Sequence, residues 1–171
     1  LVTHMPWLIW AERELADRKG THEIPAATAL RQAREQAWQF QVSADDTGER
    51  GRDLVGGFIF TAGRNPLPSV LSARPLAGLA AMAADPALTT AQELPGEIVK
   101  LLAGARFLRQ LCADEATAYA YADPKAAQFG VRTALWDQRM TVEGQVMTLL
   151  ALSEIDRALT RFAKEMSPPA P

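Results

Sequence analysis

Apolar residues recur every three or four positions along most of this chain, the spacing that puts them on one face of an α-helix. The clearest case is residues 141–166, where Val142, Val146, Leu149, Leu152, Ile155, Leu159, Phe162 and Met166 form one stripe. Thr141 stands where a hydroxyl caps free amides, and Glu143 lies beside the positive helix end. Residues 97–112 place Ile98, Leu101, Leu102, Ala105, Leu108 and Cys112 on one side, with Lys100, Arg106 and Arg109 mostly on the other. Residues 25–42 and 114–127 are further helical segments, dominated by the residues that helices favour. Strict alternation is nearly absent outside a short extended piece at residues 55–60. The pattern predicts an all-α fold without a sheet.

The pattern also returns on itself. Gly56-Gly57-Phe58-Ile59, a loop, and Ser72-Ala73-Arg74-Pro75-Leu76-Ala77-Gly78-Leu79 reappear as Phe129-Gly130-Val131-Arg132, a loop, and Gln145-Val146-Met147-Thr148-Leu149-Leu150-Ala151-Leu152. Gly57 and Gly130 are 73 positions apart (130 − 57 = 73), and the alignment at that offset needs no gap. A fixed-period echo predicts stacked helical hairpins rather than one irregular domain. A chain reversing between packed helices needs a residue that accepts positive φ or lets backbones approach, so Gly56, Gly57 and Gly130 read as turn residues. Thr3-His4-Met5-Pro6-Trp7-Leu8-Ile9-Trp10-Ala11 has the same order of hydroxyl, proline and apolar run as residues 72–80. Both read as helix starts, with the hydroxyl as cap and proline in the first turn, so a third, incomplete copy is expected at the N-terminus.

Composition narrows the classes of function. The chain has 171 residues, 48% of them hydrophobic, enough for one core, and a net charge of −2. No global positive field exists to attract a phosphate backbone, so nucleic acid is not an expected partner. Charges interrupt every apolar stretch before membrane-spanning length. One cysteine, Cys112, rules out an internal disulfide framework and a multi-cysteine zinc site. Residues 167–171 (Ser-Pro-Pro-Ala-Pro) cannot be helical and are expected to be a disordered tail or linker. The chain opens on Leu1 rather than Met, which suggests removed upstream sequence. The compartment is therefore unread, with cytoplasmic as the default.

The stretch Trp38, Gln39, Phe40, Gln41, the acidic pair Asp45-Asp46, Gly56-Gly57-Phe58, a proline-bearing loop and an Ala/Leu-rich helix resemble the repeat of the terpenoid cyclase and protein prenyltransferase α/α toroids. The second copy follows with residues 105–111, Phe129-Gly130-Val131 and the helix from Thr141. The resemblance implies outer and inner helices alternating across the glycine turns, in one helical-repeat domain over residues 1–166. Two hairpins and a fraction do not close a ring, so it further implies a partial toroid, the C-terminal portion of a longer protein, with an open stack as the alternative. The family's chemistry does not carry over. The Asp-X-Asp-Asp cluster of squalene-type cyclases is missing, and Asp45-Asp46 reads better as solvated turn carboxylates. Prenyltransferases hold zinc with Asp, Cys and His, whereas Cys112 falls at an apolar helix position far from His4 and His22. The Cys-Gly-Glu-Gln motif of thioester toroids is also missing. No metal or cofactor is expected.

Arg132, Trp136, Asp137, Gln138 and Arg139 crowd the second glycine loop, with Arg64 and Arg74 near the matching part of the first. In the family such loops ring the mouth where ligands enter, so Arg132, Trp136, Asp137, Arg139 and Arg74 are candidate contacts for an anionic or sugar-like ligand. The alternative is that they pair with one another and with helix carbonyls while the Trp covers the end of the core. Glu12, Glu143 and Glu154 are candidate carboxylates if the complete toroid cleaves sugars, and solvated faces or local ion pairs explain them as well. The favoured reading is a non-catalytic scaffold or protein-interaction segment of a larger toroid. Part of an enzyme, with a pocket at the loop mouth and catalytic residues upstream, is the alternative. The expected partner is the rest of a longer chain, or a second copy meeting an apolar edge at Trp7, Leu8, Trp10 and Leu15.

Overall fold

The computed structural model describes residues 4–17, 26–60 and 67–167. Seven α-helices form there: α1 (Trp7–Asp17), α2 (Ala26–Trp38), α3 (Ala73–Ala83), α4 (Leu94–Leu111), α5 (Glu115–Ala118), α6 (Pro124–Ala127) and α7 (Val142–Met166). Two 3-10 turns, Glu49–Leu54 and Val70–Ser72, lie in the connection before α3. No strand forms among the described residues, only three isolated antiparallel bridges. The fold is all-α. The tail residues 168–171, with Thr3, Arg64 and His22, lie outside the described residues.

Local chemistry sets the helix ends. The Gly144 N–H donates to the Thr141 hydroxyl at 3.1 Å, and Glu143 sits in the first turn of α7, the expected start. The expected helix at residues 114–127 is instead two single turns. Asp114 and Thr117 form a reciprocal cap for α5, and Asp123 caps α6 directly before Pro124. Proline in a helix interior would clash with the preceding turn and lack its N–H, so the chain stops and restarts there. Ser72 departs from expectation as well. Its hydroxyl accepts the Phe58 N–H at 2.9 Å rather than capping α3, and Ser69 caps the preceding 3-10 turn instead.

Helix α3 is the centre. It contacts α1, α4 and α7, while α4 also packs on α7 and α2 packs on α1. Small residues let the helices approach closely. At Gly104 of α4 an added Cβ would stand 2.3 Å from Leu76 Cδ2, and at Gly78 of α3 it would stand 2.7 Å from Ile9 of α1. Helix α7 presents Met147, Ala151, Ile155 and Ala158 to this core, one turn apart. The connection between α3 and α4 is held from both sides. Buried Arg34 donates to Thr89 Oγ1 (2.8 Å) and Glu93 (2.9 Å) from α2, while Arg161 of α7 donates to the carbonyls of Ala83 (2.8 Å) and Thr89 (2.9 Å).

The connections after α2 and α4 close in the same way. After α2, Val42 N–H donates to Gly57 O (2.8 Å), Gly56 N–H to Val42 O (2.9 Å) and Ile59 N–H to Phe40 O (2.9 Å). After α4, Ala113 N–H donates to Gly130 O (2.8 Å), Phe129 N–H to Ala113 O (2.7 Å) and Arg132 N–H to Leu111 O (3.0 Å). The positive-φ residue is Gly56 in the first (φ 93°) and Phe129 in the second (φ 65°). Gly57 is needed for space instead, since an added Cβ would meet the Pro68 ring at 2.3 Å, whereas at Gly130 its closest contact would be the flexible end of Met140, at 2.4 Å from the sulfur.

Two outcomes follow from these contacts. Gly56→Ala combines a left-handed φ with a Cβ only 2.0 Å from the Ala103 carbonyl, so it should lower unfolding stability by about 2–4 kcal/mol in chemical denaturation. Phe129→Gly, which relieves the same backbone conformation at an exposed site, should leave stability unchanged or raise it by up to about 1 kcal/mol. Separately, the Glu93 carboxylate is held at about 2, mainly by the Thr90 N–H, with the Thr90 hydroxyl and Arg34 adding to it. The depressed value means stability that is present above the ordinary 4.5 and lost as pH falls toward 2. Thermal unfolding of Glu93→Gln should start at a lower Tm at pH 7 and fall less between pH 5 and pH 2, as about one titrating group is removed; equal slopes in the two proteins would contradict this.

Candidate functional site

The candidate residues divide into two groups once placed on the fold. Arg132 follows the closed bridge between Cys112 and Val131, at the end of α4. Its Nη2 donates to the Gln110 carbonyl at 2.9 Å, while its buried Nε finds no hydrogen-bond partner among the described residues. Beside it lies a cavity of about 150 Å³ walled by Cys112, Thr117, Tyr119, Tyr121, Arg132 and Gln138. The Tyr121 hydroxyl donates to the Gln138 amide oxygen at 2.7 Å, which joins the α5–α6 segment to the loop before α7. One guanidinium and no carboxylate line this cavity, so its polarity suits a small anion.

The other candidates lie outside it. Arg139 grips Asp137 through two nitrogens, at 3.0 Å from Nε and 2.6 Å from Nη2, across a tight turn closed by the Ala134–Asp137 bridge. Hydrogen bonds from the Arg139 side chain and backbone hold the Asp137 carboxyl below the usual range, and Asp137 in turn raises Arg139. Arg74, at the start of α3, pairs with Glu143, at the start of α7. Trp136 is exposed and does not cover the end of the core. Glu154 pairs with Arg157 on the face of α7, and Glu12 is half-buried on α1. Asp46 is a turn carboxylate, lowered by hydrogen bonds from the Ser43 hydroxyl and N–H.

Cys112 sits one residue past the end of α4 and is half-buried, not inside the helix as its spacing suggested. Its Sγ lies 3.6 Å from the Leu108 carbonyl, and burial pushes the thiol up, against a smaller opposing effect from Arg109. A raised thiol is a poor nucleophile at neutral pH. Tyr119, Tyr121 and Thr117 were not among the sequence candidates, because residues 114–127 read as one helix. The signal that exposes them is the pair of caps, Asp114-x-x-Thr117 and Asp123-Pro124. Among the described residues no three His, Cys, Asp or Glu side chains gather as metal ligands would, and no helix is long and apolar enough to cross a membrane.

Two larger grooves open elsewhere. One, of about 630 Å³, runs along the C-terminal half of α7 past Arg157, Arg161 and Lys164, where both arginines are tied to acidic residues. The other, of about 410 Å³, lies between α4 and α7 and is walled by Leu102, Ala105, Arg106, Arg109, Cys112 and Leu152. Apolar side chains flank it on the outer face of α7, where Val142, Val146 and Leu149 are exposed. The N-terminal edge is less open: Trp7 is exposed and edge-on to Trp10, but Leu8 and Trp10 are half-buried. No protein-family model, curated protein or solved structure matches the chain.

Proposed function

We propose that the chain is a non-catalytic helical scaffold, a stack of α/α hairpins of the kind found in the terpenoid cyclase and prenyltransferase toroids, forming part of such a ring. The observation that carries this reading is a pair of long-range hydrogen bonds. The Phe58 N–H donates to the Ser72 hydroxyl, and the Val131 N–H donates to the Gln145 amide oxygen at 2.8 Å. Donors and acceptors are each displaced by 73 positions (131 − 58 and 145 − 72), the offset of the two glycines. Different side chains at one structural position do the same task, as diverged copies of one unit would. The scaffold role is supported by the loop-mouth side chains: Asp137, Arg139 and Arg74 are committed to internal partners that order the loops.

One observation favours a second reading. The buried Arg132 Nε has no partner among the described residues and stands at the wall of a small, partly open cavity lined by one guanidinium and no carboxylate, an arrangement that would suit a small anion.

Removing the equivalent acceptors tests the scaffold reading. Ser72→Ala and Gln145→Ala each leave a buried N–H unsatisfied and should each lower stability by about 1–3 kcal/mol in urea unfolding; a silent change at either position argues against equivalent units. Titration with inorganic phosphate and sulfate, read on the Arg132 Nε–H and the Trp136 indole by NMR, should give no saturable shift up to about 10 mM. Saturation that disappears in a folded Arg132→Gln protein would replace the scaffold reading with the anion site.

A further inference from the structure

The face that α2 and α3 turn toward α4 returns, uncovered, one unit later. On α2 and just past its end, the residues that reach α4 or its approach are Arg34, bonded to Thr89 and Glu93, Trp38, whose indole donates to Glu97 at 2.6 Å, and Gln41, which donates to the Lys100 carbonyl at 3.0 Å. Gln41 and Cys112 occupy the same place in the two bridges, 71 positions apart (112 − 41). That shift carries Arg34, Trp38 and Gln41 onto Ala105, Arg109 and Cys112, three walls of the groove between α4 and α7.

The inner helices agree. Ala73, Leu76 and Leu79 of α3 are fully buried, whereas their counterparts on α7, 73 positions on, are Val146 (57% exposed), Leu149 (71%) and Leu152 (40%). Gly56 lies against the Ala103 carbonyl of α4, whereas Phe129, at its place in the second connection, is 78% exposed. In the first unit it is α4 that covers this surface, with Gly104 receiving Leu76. In the second unit no helix among the described residues covers the same surface. Arg106 and Arg109 border it and form no ion pair among the described residues.

Resting on the scaffold reading, we propose that the α4–α7 groove docks an amphipathic α-helix of the α4 type. The docked helix carries carboxylates in its first turns, where α4 has Glu93 and Glu97, and a small residue where α4 has Gly104. Its carboxylates meet Arg106 and Arg109, which here take the place of neutral or acidic groups on α2, and its small residue receives Leu149. Apolar contact supplies the attraction and the guanidinium pair sets direction and register. Two positive charges beside the apolar wall, with no carboxylate in the groove lining, select an acidic helix over a basic one.

The test uses the full chain and a fluorescent synthetic peptide of residues 89–111, which contains Glu93, Glu97 and Gly104. Fluorescence anisotropy should show saturable binding, weakened about tenfold or more by Leu149→Asp or by Arg106→Glu with Arg109→Glu. These sites are exposed, so the variants should keep the parent circular dichroism and Tm. A peptide with Glu93→Lys and Glu97→Lys should bind the double-glutamate protein better than the parent. Absence of saturable binding, or binding indifferent to these changes, overturns the proposal. So does sedimentation showing a dimer that the same variants dissolve, which assigns the face to a second copy. If the peptide fails while Ser72→Ala and Gln145→Ala lose stability in parallel, the docking site alone falls and the scaffold reading stands.

Discussion

Ten of the eleven residues of α3 are buried, and this lack of a free face governs the rest of the molecule. A helix surrounded on every side must be apolar and slender, and the sequence from Ala73 to Ala83 is mostly alanine, leucine and glycine. Slenderness brings α1, α4 and α7 close enough for backbone to meet side chain, as Leu76 meets Gly104 and Ile9 meets Gly78. Each close approach then restricts its neighbour. A larger residue at Gly104 would push α4 off Leu76, and with it the Glu93 and Glu97 carboxylates that Arg34 and Trp38 hold. Packing at the centre and polar contacts at the edge are thus set by the same few small residues.

The helices were legible because their signals are local. The extent of α7 and its Thr141 cap appear in sequence as they do in space, since a 3.6-residue period and a hydroxyl before an apolar run need no tertiary information. The face it buries, however, is the one with Met147, Ala151, Ile155 and Ala158, which shares only Ile155 with the apolar stripe. Where a distant partner competes, local reading fails. Ser72 looks like a helix cap, but the Phe58 N–H is buried and needs an acceptor, and its long-range bond takes the hydroxyl. The break between α5 and α6 is written locally as well, since Asp123-Pro124 is a strong stop and restart signal inside a stretch of helix-favouring composition.

The loop residues were harder. Charge and aromatic content marked residues 132–139 as chemically rich, but sequence spacing does not tell whether an arginine faces a cavity or its neighbour two positions away. Arg139 turns back to Asp137, whereas Arg132 reaches Gln110 and borders a cavity with tyrosines from residues 114–127, a stretch whose composition reads as one helix. The exposed face of α7 shows a further limit. A regular apolar stripe says that a helix is amphipathic but not how many neighbours cover it, and here Val146 and Leu149 belong to the stripe without being covered.

Arg161 ties the long helix α7 to the middle of the chain. A helix near the end of a chain that packs on one neighbour alone opens by itself. Arg161 reaches from α7 back to the carbonyl of Ala83, the last residue of α3, and to that of Thr89 within the α3–α4 connection, the segment that Arg34 also holds from α2. Loosening the terminal helix therefore strips hydrogen bonds from the middle of the chain, and the middle in turn loosens α2. Cross-linking of this kind couples the opening of α7 to that of the α3–α4 connection and α2, so none of the three loosens without cost to the others.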